Sequence, residues 1–258
     1  MDSHTTYTIG GLGMLVLFAL DYKGSPEFRE SFKKGVLRNR TVTYMIASLL
    51  VLIAMGSISK MVKAHVPDLM GISSIKALDY IGVFLFAELL NYVFHYVKHF
   101  GWFWSFHFQH HIDSKYTVLL TSYTHAGEVL ISGTIMGVLM SVVGFSQEAI
   151  NTYFLFYSLA NTYQHSHANL SLGSLDWIIV SPRYHRIHHS KSYRANYGST
   201  LTFWDIVFGT AIFPKRNEVV TDIGIHGNNE PFGFWEEFIY FAKSRKKEKV
   251  KISSEQLV

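Results

Sequence analysis

The sequence predicts an all-α fold: a polytopic membrane helical bundle of about four to five membrane helices with a cytosolic helical cap. The first observation is composition, since 48% of the residues are hydrophobic and only 16% are charged. The second is that the apolar residues occur in long runs, and a helix needs about 20 such residues to cross a bilayer. A large soluble helical core is the alternative, but buried helices in water rarely run this far without charge.

We expect a single membrane-embedded domain over residues 1–258, divided into three regions. Residues 1–75 hold N-terminal membrane helices and a basic cytosolic loop, residues 76–213 hold the histidine-rich region, and residues 214–258 form a cytosolic tail. The apolar runs behind this division are 7–20, 41–59, 75–97, 129–145 and 149–163. The first run is borderline in length for a membrane span.

Four histidine clusters lie among and after these apolar runs. The stretch 105–113 has three histidines at i, i+3 and i+4, so on a helix their imidazoles fall on one face within a single turn. The stretch 181–190 repeats this spacing, a pair one turn apart precedes the first triplet, and a looser pair separates the triplets. Ten of the 14 histidines lie in these clusters: His95, His99, His107, His110, His111, His165, His167, His185, His188 and His189.

Basic residues set the predicted orientation in the membrane. Residues 1–6 carry no lysine or arginine, whereas the loop at 21–40 carries Lys23, Arg29, Lys33, Lys34, Arg38 and Arg40. Cytoplasmic loops are enriched in these residues, so the N-terminus is expected outside and this loop in the cytoplasm. Alternation of the later spans then brings all four histidine clusters to the cytoplasmic face. The basic stretch at 243–251 is expected to be solvated, and nucleic-acid binding is not expected.

The clustered histidines predict a di-metal site in the cytosolic cap. A neutral imidazole offers one lone pair to a metal, so ten of them fill about five positions on each of two ions. Carboxylate-bridged di-iron bundles repeat a Glu-x-x-His motif, which this sequence lacks. We therefore expect two metals held independently and farther apart than in those bundles. The absence of cysteine excludes thiolate ligands from the chain itself.

Polar residues near the clusters are candidates to orient the ligands through a second layer of hydrogen bonds. Glu88 lies two helical turns before His95, and a charged residue inside a span usually faces the interior with a partner. The alternative for Glu88 is a hydrogen bond between helices. The full set of candidates is Glu88, Asn91, His125, Glu128 and Asn169.

Read together, these motifs resemble the fatty acid hydroxylase/sterol desaturase superfamily of integral membrane, histidine-box di-metal oxygenases. The resemblance runs from about Asn91 to Thr210. It is carried by His95-Tyr-Val-Lys-His99, Trp104-Ser-Phe-His107-Phe-Gln-His110-His111, Ser181-Pro-Arg-Tyr-His185-Arg-Ile-His188-His189, and Asn196-Tyr197-Gly198 followed by Trp204-Asp205 and Phe208-Gly209-Thr210. One departure is Tyr96, at a position where members often carry arginine.

The resemblance implies that the clustered histidines bind two iron ions, with His165 as the family's intermediate histidine and no catalytic residue beyond the metal ligands. Zinc in the purified protein would also suit imidazole. The implied reaction is O2-dependent oxidation of a membrane lipid, with C–H hydroxylation as the common outcome and desaturation as a variant. Electrons would come from a separate cytochrome b5-like or ferredoxin-like donor.

The implied location is an integral protein of the bacterial inner membrane or the endoplasmic reticulum, with the site facing the cytoplasm. Two alternatives come from other classes of protein. A non-enzymatic metal transporter would also use histidines, but in mid-span along a pathway. A catalytically inactive lipid-binding relative is disfavoured because both histidine triplets are complete.

Overall fold

The structure is a computed structural model that describes residues 3–33, 61, 64–65, 75–168, 170–215 and 218–226. The helices within these residues are α1 (Ser3–Gly24), α2 (Pro26–Lys33), α3 (Lys76–Lys98), α4 (Trp104–Ile112), α5 (Ala126–Val143), α6 (Gln147–Gln164), α7 (Pro182–His188) and α8 (Phe203–Phe208), with 3₁₀ turns at Gly101–Phe103, Val118–Ser122 and Gly173–Trp177. The described part of the chain is thus helical and forms no strand, in agreement with the predicted all-α class. The predicted span at 41–59 lies outside the described residues.

One helix in the described part of the chain, α3, is long and apolar enough to cross a bilayer. A shorter apolar helical stretch, Gly127–Val143, makes up most of α5. Helix α3 exposes Leu78, Ile81 and Leu85 on its outer side, as expected of a helix that faces lipid. The structure therefore supports a helical membrane protein, and the number of spans stays a prediction.

Helices α3, α5 and α6 pack around a shared apolar core. Its buried members include Val83 and Ala87 from α3 and Met136 and Met140 from α5. The approach is close, because a side chain at Gly82 would place its Cβ 2.9 Å from a ring carbon of Phe145. Helix α3 is thereby held along its inner face against α5 and α6.

The turn from α5 to α6 is built from local capping. Gly144 ends α5 with a positive φ of 88°, a conformation that favours glycine. Ser146 caps α6, since its hydroxyl accepts from the Ala149 amide. The buried carboxylate of Asp79, in the first turn of α3, accepts from both the amide and the hydroxyl of Ser146. Helix α6 accordingly starts at Gln147, two residues before the apolar run at 149–163.

Helix α1 packs against α6 and against the 3₁₀ turn at Val118–Ser122. A second apolar cluster lies beneath it, formed by Phe28, Tyr116, Leu119, Leu120, Tyr123 and Ile223. The N-terminal helix therefore covers the segment that connects the first histidine triplet to α5.

The Tyr153 hydroxyl joins α6 to α3. It donates to Glu88 Oε1 at 2.8 Å and accepts from Asn91 Nδ2 at 2.6 Å. We expect Tyr153→Phe to lower the free energy of unfolding by about 1–3 kcal/mol, because it leaves a buried carboxylate oxygen without this donor. Thermal unfolding in detergent measures the effect. Tyr157→Phe, one turn further along α6, is the control, and an equal loss from both variants would contradict the assignment.

Candidate metal centre

The clustered histidines come from the ends of two long helices and from two short helices. His95 lies in the last turn of α3 and His99 directly after it, and His165 directly follows α6. Helix α4 carries the first triplet, and α7 carries the second triplet except for His189, which directly follows the helix. Helix α7 starts as the sequence predicts, with Pro182 in its first turn and the Ser181 hydroxyl accepting from the Tyr184 amide.

Five imidazoles converge beside the end of α3, and we call them the five-histidine group. Its members are His95, His99, His107, His111 and His188, and one ring nitrogen from each lies within 4.8 Å of those of the others. The Nε2 atoms of His99 and His188 are 3.2 Å apart, as are those of His107 and His111. Three separate helices thus contribute to one cluster of nitrogen atoms.

Four further imidazoles form the four-histidine group. Its members are His110, His165, His185 and His189. Nε2 of His165 is 3.1 Å from Nε2 of both His110 and His185. The two groups are neighbours, since the rings of His111 and His189 stack with centroids 4.3 Å apart.

Each triplet is divided between the two groups. In α4 the i and i+4 residues, His107 and His111, join the five-histidine group and the i+3 residue joins the other. In α7 the i and i+4 residues, His185 and His189, join the four-histidine group and His188 joins the other. Residues at i and i+4 lie about 40° apart around a helix, whereas i+3 lies roughly 60° to the other side. Each helix therefore directs its imidazoles to both groups.

Hydrogen bonds to carbonyl groups fix the direction of several lone pairs. Nδ1 of His110 donates to the Leu120 carbonyl at 3.0 Å, and Nδ1 of His165 donates to the Asn161 carbonyl at 2.7 Å. A carbonyl can only accept, so Nδ1 carries the proton of each neutral ring and Nε2 keeps a lone pair. Two lone pairs then face each other across 3.1 Å between His110 and His165. They repel unless a cation lies between them.

The donor atoms fit bound metal ions. With metal–nitrogen bonds of about 2.0–2.1 Å, adjacent donors on one ion lie roughly 3 Å apart, close to the separations seen in both groups. Nε2 of His95 is buried and has no hydrogen-bond partner among the described residues, so an ion would supply the missing interaction. Neither group includes a carboxylate among these residues. The predicted distance between the two ions stays a prediction.

Burial keeps five of the imidazoles neutral. Desolvation lowers the pKa of His165 to about 4 and that of His188 to about 3. It also holds the pKa of His110, His185 and His189 well below the usual value, with a further decrease from neighbouring histidines. A metal ligand must be deprotonated, so these rings can bind a cation at neutral pH without first losing a proton.

Glu128, a predicted candidate for orienting a ligand, contacts a member of the five-histidine group. His107 Nδ1 lies 3.1 Å from Glu128 Oε2, and Lys98 Nζ lies 2.8 Å from Glu128 Oε1. The carboxylate thus accepts a hydrogen bond from Nδ1 of His107, and Lys98 on α3 neutralises its charge. Such a partner fixes the orientation of a ligand and raises its basicity. Sequence reasoning missed Lys98, although it lies directly before His99.

A loop after α7 orients two other members of the five-histidine group. His95 Nδ1 donates to the Tyr197 carbonyl at 2.9 Å, and His188 Nδ1 donates to the Ala195 carbonyl at 2.8 Å. Asp205 holds this loop by accepting from the amides of Tyr197 and Gly198 at 2.7 and 2.8 Å.

Gly198 and Asp205 are tightly packed parts of this loop. A Cβ at Gly198 would collide with the Leu201 carbonyl oxygen. Asp205 is fully buried and also accepts from the Tyr184 hydroxyl at 3.0 Å. Asp205 was not among the predicted site residues. A single acidic residue in an otherwise aromatic and apolar segment is the sequence feature that could have identified it.

The hydrogen bonds of Glu88 differ from the direct contact with a histidine that was predicted. Its carboxylate accepts from the Tyr153 hydroxyl and, at 3.1 Å, from the amides of Thr200 and Leu201. These bonds join α3 to α6 and to a loop, which is the alternative interpretation of this residue. Asn91 likewise donates to Tyr153.

The remaining predicted site residues that the structure describes are His125 and His167. His125 caps α5, where its Nδ1 accepts from the Gly127 amide at 2.9 Å, and its ring packs on Phe106. His167 lies outside both histidine groups, and its amide donates to Asp21 at 2.8 Å. Asn169 lies outside the described residues.

The family profile described as Fatty acid hydroxylase matches residues 80–210, about half of the chain. The chain belongs to the fatty acid hydroxylase family. The matched stretch contains all nine histidines of the two groups together with Glu128 and Asp205. The resemblance drawn from the histidine motifs is therefore confirmed, and helix α1 lies outside the part that matches the family.

Several relatives of this family member are lipid-modifying enzymes by name. Ornithine lipid hydroxylase OlsE of Rhizobium tropici is 32% identical over 131 residues, which are 48% of this chain and 38% of that protein. Alkylglycerol monooxygenase of Danio rerio is 28% identical over 169 residues, 61% of this chain and 35% of that protein, and the Homo sapiens protein is 27% identical over 158 residues, 59% and 34%. The chain thus spans less than two fifths of the length of these relatives. No solved structure matches it.

We expect Glu128→Gln to weaken metal binding at the five-histidine group by about 10–100-fold, because an amide cannot replace the negative charge opposite His107. Competition titration of the bound metal with a chelator measures the change. Glu148→Gln is the control, since this exposed glutamate pairs with Lys76 at the far end of α3. Equal affinities for the Glu128 variant and the wild type would exclude Glu128 from this role.

Proposed function

We propose that this protein catalyses the O2-dependent oxidation of a membrane lipid, with hydroxylation of a C–H bond as the reaction. The observation that carries the proposal is the convergence of nine imidazoles, seven of them buried, into two neighbouring groups at the ends of α3 and α6. Two iron ions are the proposed cofactors. Imidazole suits iron and zinc alike, so zinc in the purified protein would be compatible with iron as the working metal.

The chain contributes the position and charge state of the ligands. Bound iron supplies the redox chemistry that activates O2, which amino-acid side chains lack. Carbonyl groups and Glu128 hold Nδ1 of five of the imidazoles, so these rings keep one orientation and one tautomer. Burial of the rings excludes bulk water from the centre, which limits side reactions.

An apolar groove between α3 and α5 supports a lipid substrate. Its volume is about 200 Å³, and its lining includes Val97, Phe106, Ile131 and Ile135. At one end it reaches Lys98 and Glu128, which also line it. Since Glu128 contacts His107, the groove ends one side chain away from the five-histidine group. We infer that an alkyl chain lies in this groove.

The named relatives support a lipid with a long alkyl or acyl chain. Ornithine lipids and alkylglycerols differ in their polar parts, so the shared feature of the two substrate names is the chain. We propose a location in the bacterial inner membrane or the endoplasmic reticulum with the site at the cytoplasmic face. Exposed aromatic residues such as Trp177, Phe203 and Phe208 suit the membrane interface.

The proposed electron source is a separate protein of cytochrome b5 or ferredoxin type. Electrons must enter from outside, because the chain shows no flavin, haem-attachment or iron–sulfur motif. Lys115 and Arg194 are exposed close to the histidine triplets. An acidic donor would be attracted to this basic surface.

A metal transporter remains the alternative from another class of protein. Transport needs ligands at intervals along a path through the membrane. His95 and His99 instead lie in the last turn of α3 and directly after it, and His165 lies at the end of α6. This placement favours a closed centre at one end of the helices.

The reaction can be tested with the iron-loaded chain in lipid bilayers. Reduced donor and isotopically labelled O2 are added to an ornithine lipid and, separately, to an alkylglycerol. We expect a product that has gained one labelled oxygen atom, measured by mass spectrometry. A product that has lost two hydrogen atoms would indicate desaturation, and metal flux in proteoliposomes without donor or O2 would indicate transport.

Two variants serve as controls for this reaction. His110→Ala should abolish the product and lower the metal content, because it removes a ligand of the four-histidine group. His65→Ala changes an exposed histidine that belongs to neither group and whose Nδ1 lies 2.8 Å from the Met61 carbonyl, so this variant should keep full activity. Full activity of the His110 variant would remove this histidine from the site.

We expect Ser132→Phe to lower lipid turnover about 10-fold or more, because a ring there fills the groove and displaces the alkyl chain from its reacting position. The metal content should stay unchanged. Leu130→Phe is the matched control, since Leu130 is exposed on the same helix and does not line the groove. Turnover rates of a long-chain substrate compare the two variants, and equal rates would exclude the groove as the binding site.

A further inference from the structure

We propose that Asp21 is a positioning residue for the four-histidine group, so that helix α1 completes a centre to which it contributes no ligand. None of the four ligands lies on α1, and the match to the family begins only at residue 80. The inference rests on the proposed metal-binding function. Its test therefore measures metal at each histidine group, so that the two proposals can fail separately.

Asp21 lies one turn before the end of α1, and its side chain is fully buried. Oδ2 accepts from the Val118 amide at 2.7 Å. Oδ1 accepts from the Ser166 hydroxyl at 2.6 Å and from the His167 amide at 2.8 Å. A carboxylate with three donors forms strong, charge-assisted hydrogen bonds, which hold two distant segments of the chain against α1.

The first of these segments orients His110. Val118 begins the 3₁₀ turn Val118–Ser122, and the carbonyl of Leu120 in this turn accepts from His110 Nδ1 at 3.0 Å. The bond from Asp21 fixes the start of the turn and therefore the position of this carbonyl. Asp21 thus acts on His110 through two residues of a short, rigid element.

The second segment carries His165. Ser166 and His167 follow this ligand directly, and both donate to the same oxygen of Asp21. His165 Nε2 lies 3.1 Å from Nε2 of both His110 and His185, so it is in the middle of the group. A shift of this turn would move the central donor atom.

Arg186 holds the same turn from the opposite side. It directly follows His185, and its guanidinium donates to the carbonyls of Ser166 and His167. The guanidinium also lies 4.7 Å from the centre of the Tyr116 ring, which stacks on His165. Asp21 therefore accepts hydrogen bonds from this turn, and Arg186 donates hydrogen bonds to its carbonyl groups.

The five-histidine group is oriented by other residues. His107 is bound to Glu128, His95 to the Tyr197 carbonyl and His188 to the Ala195 carbonyl. Loss of the Asp21 carboxylate should therefore affect one group and spare the other. A residue that only stabilises the fold would affect both.

The test compares Asp21→Asn with Asp79→Asn in the full-length, iron-loaded chain. Asparagine keeps the shape of aspartate but replaces one acceptor oxygen with a donor. Asp79 is a matched control, because it is also buried and also accepts from a serine hydroxyl and a backbone amide, at the end of α3 remote from His95. Bound iron per chain and its Mössbauer spectrum, which separates iron in the two groups, are measured together with thermal stability.

We expect Asp21→Asn to lose the iron of the four-histidine group, with affinity there reduced about 10–100-fold, and to keep the iron of the five-histidine group. Asp79→Asn should lose stability and keep both ions. Ser166→Ala removes one donor to Asp21 and should weaken the same group to a smaller extent. It decides the question if Asp21→Asn does not fold.

Wild-type iron content and spectrum in Asp21→Asn, or in Ser166→Ala where that variant decides, would overturn the inference. Equal loss from both groups would also overturn it, because Asp21 would then stabilise only the fold. A wild-type chain that binds no metal would overturn the proposed function and this inference together.

Discussion

Repulsion between lone pairs on buried imidazoles is the interaction on which this structure depends. Nδ1 of His110 and Nδ1 of His165 both donate to carbonyl groups, so the Nε2 atoms of these two rings face each other at 3.1 Å with no proton to share. In the absence of a cation this contact opposes folding, and in its presence it holds α4 against the end of α6. The free energy of metal binding is thereby part of the free energy of folding.

Buried carboxylates supply the acceptors that the loops around the centre need. The loops form two isolated bridges and no sheet within the described residues, so many backbone amides have no ladder partner. Asp21, Glu88 and Asp205 each accept from amides in such loops. The long helices provide fixed points, and the carboxylates attach the loops to them or to one another.

The spacing of the histidines was enough to predict which imidazoles lie together, and their role as metal ligands stays a prediction. The helical period turns i, i+3 and i+4 into one face, and nine of the ten predicted ligands lie in the two groups. The division of each triplet between the groups could not be predicted, because it depends on how α4 and α7 face each other.

The role of Asp21 was equally out of reach, since its partners are 97 to 146 residues away in the chain. Glu88 was recognised as a buried charge with a partner, but the sequence alone did not identify Tyr153 and the amides of Thr200 and Leu201 as that partner. The all-α class followed from composition, whereas the number of spans depends partly on residues outside the described ranges.

The buried position of Asp21 also bears on how this protein should be cut into fragments. The histidine motifs contain the ligands, but the smallest fragment that can bring these ligands together is longer than the stretch that holds the motifs. A recombinant fragment confined to the shared motifs would carry all nine imidazoles but leave three hydrogen-bond donors facing an empty space. Deletion boundaries in this protein are therefore better set by the residues that hold the ligand loops than by sequence similarity.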